Sequence, residues 1–396
     1  MELPPIARLP QAGADALAAS DAMLARLGDE MLANGGSISF ARYMELVLYT
    51  PNLGYYSGGA AKFGAAGDFV TAPEISALFG RSLARQAAEV MTASCHQVVE
   101  FGAGSGALAA TLLAELERLG TPCERYCIVE LSGTLRARQR AAIEAAVPHL
   151  AGRVDWIDAL PDTISGCIIA NEVLDAMPVH WVTWRDGALM ERGVALRDAR
   201  LVATELPATG VLHAAMTALA AEHNLADGYT SEINLAAAAW INDLAPRMHK
   251  AMALLIDYGF PAREFYHPQR RAGTLRAHYR HHALNDPFYL PGLCDITAHV
   301  DFSAVALAAQ QAGLTVDGYA TQAQFLINCG ITEMLAGSDP QDARAHGGLT
   351  QQANTLLSPA EMGELFKVLA VSRQLSQGQL SQDWRGFSAG NRLHTL

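Results

Sequence analysis

The stretch VVEFGAGSGALAATLL, residues 98–113, limits the fold of this chain more than any other part of the sequence. An apolar, strand-like run is followed by three closely spaced glycines and then by helix-forming residues. In such a unit the glycines let the backbone approach a ligand closely at the N-terminus of the helix. The stretch therefore predicts a nucleotide-binding turn, which fits a dinucleotide such as NAD and S-adenosylmethionine (SAM) equally well.

The residues around the turn have the pattern of a parallel sheet. Apolar strands that alternate with amphipathic helices form parallel sheets covered by helices on both faces. The fold class is therefore predicted to be α/β, with a Rossmann-like core made of a mostly parallel, twisted sheet. The strand-like runs cover residues 97–101, 125–131, 153–158 and 166–173, and the helical stretches cover 107–119 and 133–146.

The rest of the chain divides into predicted parts by changes in composition and periodicity. An Asp-Gly pair between two apolar runs predicts a β-hairpin over residues 180–196. Further expectations are a helix at 37–50 capped by Ser39, helices at 74–91 and 231–249, an irregular segment at 260–300 and helices over 322–371. The predicted domains are an N-terminal helical segment with a glycine-rich loop (1–94), the nucleotide-binding core (95–177 and 250–320), an inserted β-hairpin and helical subdomain (178–249) and a C-terminal helical part (321–396).

Three acidic residues stand at successive strand ends, and they are either ligand-binding groups or solvated acids. Glu100 lies two residues before the first glycine, where a carboxylate suits a cationic ligand better than a pyrophosphate. Glu130 ends the second strand and can accept hydrogen bonds from both ribose hydroxyls, which NAD would use as well. Asp158 ends the third strand, where it can accept from an adenine amino group. Ligands of open parallel sheets bind at these carboxyl ends.

The fourth strand runs into the segment NEVLDAMPV, which holds Asn171, Glu172 and Asp175. Hydride transfer needs no pair of acids at this position, whereas a methyltransferase places groups that face its substrate there. The alternative is structural: Asn171 caps a helix and the acids are stabilised by the helix dipole.

Composition and charge exclude several classes of protein. The formal net charge of −12 argues against sequence-independent binding to nucleic acid. No run approaches the roughly 18 apolar residues of a membrane span. The N-terminal residues show neither a secretory signal nor an Arg-rich transit peptide, so a cytoplasmic location is predicted. The oligomeric state stays open.

Several long blocks of the sequence are similar to the MidA family of SAM-dependent methyltransferases, whose mitochondrial members are complex I assembly factors that methylate protein arginine. The resemblance spans about residues 35–303 and implies a class I methyltransferase core that uses SAM and releases S-adenosylhomocysteine (SAH). The blocks are GSISFARYMELVLYTPNLGYY, GDFVTAPEISALFG, VVEFGAGSG, NEVLDAMPV and GTLRAHYRHHALNDPFYLPGLCDITAHVDF.

The resemblance also implies a set of residues that bind the cofactor. It places SAM on the glycine turn and on the ends of the following strands, and it places the block at residues 67–73 over the cofactor. Together with the strand-end acids and their neighbours, the predicted cofactor residues are Gly67, Asp68, Thr71, Pro73, Glu100, Phe101, Gly102, Ala103, Gly104, Glu130, Leu131, Asp158, Ala159 and Asn171.

If the methyl acceptor is a protein arginine, its guanidinium is always charged, and carboxylates are needed to hold it. Glu172 and Asp175 are the first catalytic candidates, and Asp295 and His299, with Asp301 nearby, are the second. The spacing of this second group matches no zinc pattern, so no metal is predicted. Two alternatives stay open: methylation of a small molecule, and a SAM-binding assembly protein without essential catalysis. The Arg- and His-rich segment 263–282 is either a lid or a substrate contact.

Overall fold

The computed structural model of the chain describes residues 9–58, 71–337, 343–375 and 383–396. The chain divides into two compact units. Unit 1 comprises Met1–Phe69, Asp175–Ala239 and Pro261–Asp301, and unit 2 comprises Val70–Leu174, Trp240–Phe260 and Phe302–Leu396. These units are groupings by contact, and the four-part domain division made from the sequence stays a prediction.

Helices and strands alternate along most of the chain. The α-helices are α1 Ala14–Ala33, α2 Phe40–Tyr49, α3 Ala72–Ile75, α4 Ala77–Ala93, α5 Ala107–Arg118, α6 Gly133–Ala146, α7 Gly210–His223, α8 Leu235–Leu244, α9 Ala262–Phe265, α10 Phe302–Gln311, α11 Gln322–Asn328, α12 Ile331–Ala336 and α13 Ala343–Leu357. The strands are β1 Ser37–Ser39, β2 Gln97–Phe101, β3 Arg125–Val129, β4 Val154–Ile157, β5 Ile164–Asn171, β6 His180–Arg185, β7 Ala188–Arg197, β8 Arg200–Pro207, β9 Tyr229–Ile233, β10 Met248–Phe260, β11 Arg276–Tyr279, β12 His282–Leu284, β13 Asp295–Thr297, β14 Val300–Asp301, β15 Thr315–Thr321 and β16 Phe366–Arg373.

Unit 2 contains the sheet that the sequence predicts. Its strands follow the order β15-β16-β10-β5-β2-β3-β4. The strands from β10 to β4 are parallel to their neighbours, and β16 is antiparallel to both β10 and β15. The α/β fold with a mostly parallel sheet is therefore confirmed. The chain order reverses between β2 and β5, and ligands of such sheets bind at this switch point, outside the carboxyl ends of the strands.

The core of unit 2 forms from apolar helix faces packed on this sheet. The buried cluster includes Leu83 and Val90 from α4, Leu112 from α5, and Ile169 and Leu254 from the central strands. Near-continuous apolar strands of this kind are typical of a parallel sheet buried on both faces. The rigid sheet fixes where its loops, which carry the predicted cofactor residues, begin.

Unit 1 is built on antiparallel strands and two N-terminal helices. Its larger sheet follows the order β1-β7-β6-β9, and β8 also pairs with β7. A smaller sheet has the order β12-β11-β13. The predicted hairpin is confirmed as β6 and β7, which turn at Asp186 and Gly187. Ser39 caps α2 as predicted, since its hydroxyl accepts from the Arg42 N–H.

Several secondary-structure predictions are wrong in part, and residues 37–39 of the predicted helix 37–50 form β1. The predicted helix 74–91 is interrupted at Ser76, whose hydroxyl caps α4. Residues 229–233 form β9 by pairing with β6, so the predicted helix 231–249 is reduced to α8. Three short strands lie in the segment 260–300. The last part of the predicted helical region 322–371 is β16, whose apolar run suits a buried strand as well as a helix.

Candidate active site

The glycine turn joins β2 to α5 at the switch point of the sheet. Gly102, Gly104 and Gly106 have φ angles of +63°, +53° and +87°, in the left-handed region that favours glycine. The Gly106 N–H donates to the Ala103 carbonyl over 2.8 Å just before α5 begins. A Cβ on Gly106 would lie 3.1 Å from the Cα of Gln139, so this glycine also lets α6 pack against the turn.

Glu100 lies in β2, before the turn. It is only 2% exposed, and its carboxylate accepts a 2.7 Å hydrogen bond from the Tyr126 hydroxyl. Burial raises the pKa of Glu100 to about 7, in spite of the Tyr126 hydrogen bond, and the charge of Glu130 adds to the rise. Because the carboxyl is buried, its influence on a ligand would be electrostatic.

Glu130 follows β3, and its carboxylate is held from two sides. Oε1 accepts from the Ser132 N–H at 2.9 Å, and Oε2 accepts from the side-chain amide of Gln139 at 3.0 Å. Each carboxylate oxygen can accept a second hydrogen bond, so the group can still receive ligand hydroxyls. The next residue, Leu131, is 78% exposed and offers an apolar surface beside the carboxylate.

Asp158 and Ala159 follow β4 and are exposed. Arg136 pairs with Asp158 and also donates to the carbonyls of Glu130 and Ile157, at 2.6 and 3.2 Å. Arg136 thereby connects the ends of β3 and β4. The Asp158 side chain is 87% exposed, so its pair with Arg136 is a surface pair and its carboxylate is accessible to a ligand.

Asn171 ends β5, next to β2 in the sheet. Its amide nitrogen donates to the Glu172 carboxylate over 3.3 Å. Its oxygen is buried and has no hydrogen-bond partner among the residues that the structure describes. A buried acceptor without a partner costs about 1–3 kcal/mol, so a ligand donor at this atom would be stabilised. Glu172 has a φ of +53°, which is uncommon for a residue other than glycine.

Asp257 is a buried carboxylate near the end of β10. The sequence does not predict it as a site residue, because it stands inside the apolar run MALLIDYGF, which is typical of a core strand. It is 0% exposed and accepts hydrogen bonds from the N–H groups of Leu174 and Tyr258, at 3.0 and 2.9 Å. The bond to Leu174 fixes the loop that begins with Asn171 and Glu172. The acid within the apolar run is the only sequence signal for this role.

The glycine-rich block is described in part. Gly67 and Asp68 lie outside the described residues. Thr71 immediately precedes α3, and Pro73 lies in its first turn, where proline is favoured. These two residues therefore lie at the start of a short helix of unit 2.

Unit 1 brings together two predicted carboxylates and two tyrosines that were not predicted. Asp175 and Asp295 are 5% and 3% exposed. The Tyr56 hydroxyl donates to Oδ1 of Asp295 over 2.8 Å, and the Tyr49 hydroxyl donates to the Ala176 carbonyl over 2.8 Å. The two tyrosine rings stack with centroids 5.6 Å apart. Burial raises the pKa of both tyrosines, and the charges of Asp295 and then Asp175 raise it further.

His299 is held in unit 1 through its backbone. Its N–H donates to the Thr274 hydroxyl over 3.0 Å, and that hydroxyl donates to the buried Glu232 carboxylate over 3.0 Å. The preceding residue, Ala298, donates its N–H to the Asp175 carbonyl over 3.0 Å. The segment with His299 is therefore connected to Asp175.

The Arg- and His-rich segment 263–282 is built into unit 1. The Thr230 N–H donates to the Arg271 carbonyl over 3.0 Å, and the Tyr229 hydroxyl donates to the His267 carbonyl over 3.2 Å. Its last part forms β11 of the smaller sheet. The backbone of this segment thus takes part in the architecture of the unit.

Comparison with known proteins identifies the chain. Residues 82–320 match the model of a family described as "Putative S-adenosyl-L-methionine-dependent methyltransferase". The chain belongs to this family. A crystal structure of a Burkholderia thailandensis protein bound to S-adenosyl-homocysteine is 48% identical, with a TM-score of 0.93 over 98% of this chain and 100% of that chain. The resemblance to the MidA family is confirmed, and the enzyme is a SAM-dependent methyltransferase with a Rossmann-like class I core.

Curated relatives from animals match over nearly the whole methyltransferase. The mitochondrial protein arginine methyltransferase NDUFAF7 homolog of Drosophila melanogaster is 30% identical over 91% of this chain and 87% of its own length. The mitochondrial protein arginine methyltransferase NDUFAF7 of Danio rerio is 29% identical over 91% of this chain and 88% of its own length.

One prediction is contradicted by these relatives. The cytoplasmic location rests on the charge pattern of the N-terminal residues, whereas the matched relatives are named as mitochondrial proteins, so that prediction is wrong. A charge pattern of this kind does not fix a compartment by itself. Within the described ranges, no helix is long and apolar enough to cross a membrane.

Proposed function

We propose that this methyltransferase transfers the methyl group of SAM to arginine side chains of a protein. The observation that carries the proposal is in unit 1, where the Tyr56 hydroxyl binds the buried Asp295 carboxylate and the rings of Tyr56 and Tyr49 stack. The buried Asp175 immediately precedes Ala176, whose carbonyl accepts from the Tyr49 hydroxyl. A guanidinium is always charged, pairs with carboxylates through a planar fork of N–H groups and stacks on aromatic rings. The names of the relatives, which are protein arginine methyltransferases, support the same acceptor.

The described residues of unit 2 fit SAM as the methyl donor. We assign the Glu130 carboxylate to the ribose hydroxyls and the exposed Leu131 and Asp158 to the adenine. The buried oxygen of Asn171, which has no protein partner within the described residues, suits the ammonium group of SAM. Glu100, before the glycine turn, suits a cationic ligand better than a pyrophosphate, which argues against a dinucleotide.

The remaining predicted cofactor residues complete this assignment. The glycine turn lets the backbone approach the methionine part of SAM. Thr71 and Pro73, at the start of α3, are assigned to the cofactor as well, together with Gly67 and Asp68, which lie outside the described residues. The residues assigned in this way are Gly67, Asp68, Thr71, Pro73, Glu100, Phe101, Gly102, Ala103, Gly104 and Ala159.

Bound SAM would supply a methyl group on a sulfonium, and an arginine nitrogen would attack the methyl carbon in line with the C–S bond, so that S-adenosylhomocysteine leaves. As the C–N bond forms, the C–S electron pair stays on sulfur, and one proton leaves the nitrogen. Asp175 and Asp295 would hold the guanidinium and orient the attacking nitrogen, which is the main demand of this reaction. Tyr56 fixes Asp295 through its hydroxyl. Glu172, three residues before Asp175, and Asp295 are the candidates to accept the proton.

A surface groove of unit 1 supports a protein acceptor. It has a volume of about 540 Å³ and is lined by Ser39, Ala41, Arg42, Glu45, Tyr49, Pro178, His180 and Ala236. Ser39, Arg42, Glu45 and Tyr49 line one face of α2, which is roughly 15 Å long at the rise of an α-helix. About four residues of an extended peptide would span this length. Tyr49 belongs to both the groove and the carboxylate cluster, so a peptide in the groove would pass beside the cluster.

The charged side chains of the groove are paired with groups of the enzyme itself. The Arg42 guanidinium is already bound by Glu30 and Glu45, at 2.9 and 2.8 Å. His180 lies 2.6 Å from the carboxylate of Glu191. Glu30 also pairs with Arg26 at 2.7 Å, so the carboxylates beside the groove are already bound by basic side chains of the enzyme.

The proposal is tested by finding the methylated group. The purified enzyme is incubated with methyl-labelled SAM and an extract of cells that lack its gene, and the protein fraction is hydrolysed and its amino acids separated. We expect label in methylarginine with the native enzyme and with Glu144→Gln, an exposed glutamate of α6 that serves as the control. We expect none with Glu172→Gln. Label in a small molecule, or in another amino acid, would contradict the proposal.

A further inference from the structure

Gln139 is a buried polar residue at a position of α6 where the spacing calls for an apolar one. Leu135, Gln139 and Ile143 are four residues apart and form one row on the helix. Gln139 is 0% and Ile143 is 1% exposed, so the row faces the interior of unit 2. A glutamine is seldom fully buried unless its polar atoms have partners.

The side chain of Gln139 joins three segments of the proposed cofactor site. Its amide nitrogen donates to the Gly104 carbonyl at 3.1 Å and to Oε2 of Glu130 at 3.0 Å. Its oxygen accepts from the indole N–H of Trp156, in β4, at 2.8 Å. The glycine turn, the end of β3 and β4 are therefore bound to one amide group.

We propose that Gln139 is a positioning residue for cofactor binding, because it orients the Glu130 carboxylate and the Gly104 carbonyl for the bound cofactor. Its neutral amide can donate to a carboxylate without cancelling the charge, so Glu130 stays a strong acceptor for the ribose hydroxyls. The Trp156 N–H fixes which end of the amide faces Glu130, since an indole N–H can only donate. The inference rests on the assignment of Glu130 to the ribose, and it does not depend on the identity of the methyl acceptor.

A packing role alone makes a different prediction from a positioning role. Gln139→Met keeps the length and approximate volume of the side chain and removes both polar atoms. Ile143→Val, in the same row, removes one buried methyl group and leaves the hydrogen bonds intact. If Gln139 only fills space, both variants should lower the melting temperature, and both should bind the cofactor with the affinity of the native enzyme.

The experiment measures dissociation constants by calorimetry for two ligands, SAH and an SAH analogue that lacks both ribose hydroxyls. We expect Gln139→Met to weaken SAH binding about tenfold or more, as for the loss of a hydrogen bond to a charged group. The ratio of the dissociation constant of the analogue to that of SAH should fall towards one in Gln139→Met. In Ile143→Val the ratio should stay as in the native enzyme. Trp156→Phe, a milder change, should weaken SAH binding about threefold, by the loss of one neutral hydrogen bond.

A double variant tests whether Gln139 acts through Glu130. Combining Gln139→Met with Glu130→Gln should weaken SAH binding by much less than the product of the two single effects. The proposal is overturned if Gln139→Met or Trp156→Phe binds SAH as tightly as the native enzyme does. It is also overturned if the losses of affinity in Gln139→Met and Glu130→Gln multiply in the double variant. A native enzyme that binds SAH and the analogue without ribose hydroxyls equally well would overturn it too. If Gln139→Met fails to fold, Trp156→Phe tests the proposal through the same ratio of the dissociation constants of the analogue and of SAH.

Discussion

The two units assemble their candidate residues in different ways. In unit 2 the residues assigned to the cofactor follow consecutive strands, so Glu100, Glu130 and Asp158 all come from one repeating strand–helix pattern. In unit 1 the aromatic and acidic cluster collects Tyr56 and Asp295 from positions 239 residues apart. A local sequence pattern therefore specifies the first site, whereas the second exists only after antiparallel strands and helices from distant segments have packed together.

The proposed assignments give the two units separate roles. The fixed carboxylates and the glycine turn of unit 2 are suited to binding SAM, and the cluster of unit 1 is suited to a cationic acceptor. Substitutions in the cluster should change the transfer of the methyl group, and substitutions at the strand ends should change the affinity for SAH.

The largest effect is expected for Asp295→Asn. Removing one buried charge of the cluster should lower the rate of methylarginine formation by about 100-fold or more, since hydrogen bonds and ion pairs to a charged group contribute about 1.5–3 kcal/mol each. The dissociation constant of SAH should stay within about twofold, a change of less than 0.5 kcal/mol. Asp21 is an exposed carboxylate of the same unit, and the control variant Asp21→Asn should keep the methylation rate and the SAH dissociation constant of the native enzyme. Weaker SAH binding in Asp295→Asn would contradict the division of roles.

The next effect is expected for Glu130→Gln. The amide keeps the shape of the side chain and weakens its hydrogen bonds to the ribose, so SAH binding should weaken about 10- to 100-fold. The rate at saturating SAM should change much less than the affinity. Calorimetry and steady-state kinetics on the same protein check this, and an unchanged affinity would remove Glu130 from the cofactor site.

Two glycines with positive φ separate backbone strain from close packing. Gly106→Ala should destabilise the protein by about 2–3 kcal/mol, because the left-handed backbone and the close approach to Gln139 both oppose a Cβ. Gly120→Ala has a similar φ but no atom within 4 Å of the new Cβ, so it should cost about 1 kcal/mol. Urea unfolding measures both, and equal losses would show that the contact with α6 is unimportant.

The smallest effect is a pH dependence that comes from Glu100. Its pKa is raised from 4.5 to about 7 in the folded protein, so the folded state binds the proton more tightly than the unfolded state does. This contribution to stability is present below pH 4.5 and is lost as the pH rises through 7. Glu100→Gln removes the titration, so its stability relative to the native enzyme should increase by about 1–2 kcal/mol between pH 5 and pH 8. A difference that does not depend on pH would contradict the buried, raised pKa.

The sequence predicts unit 2 better than unit 1, for physical reasons. The glycine turn and the strand-end acids are local features, and their positions follow from the geometry of a parallel sheet. Gln139 escapes prediction because a polar residue on an otherwise polar helix such as α6 looks solvated, and only the packed structure shows that it is buried. Asp257 is hidden in an apolar run, and β16 has a run that fits a helix as well as a strand.

In unit 1 the acids were predicted and their aromatic partners were not. Asp175 and Asp295 are acids within the blocks NEVLDAMPV and GLCDITAHVDF, which marks them as candidates. Tyr49 and Tyr56 stand among other large apolar residues, where core packing explains an aromatic ring equally well. Only the pairing of β11 with β13 and the packing of α2 bring these rings to the carboxylates, and no local pattern encodes such contacts.

The most direct test of separate roles is a double-mutant cycle with Glu130→Gln and Asp295→Asn. The initial rate of methylarginine formation is measured at low SAM concentration for the native enzyme, both single variants and the double variant, with protein from the gene-deleted extract as the acceptor. If unit 2 binds the cofactor and unit 1 holds the acceptor, the two losses should multiply, with a coupling energy below about 0.5 kcal/mol. A coupling energy above about 1 kcal/mol would mean that the two carboxylates serve the same step, and it would contradict the division proposed for this enzyme.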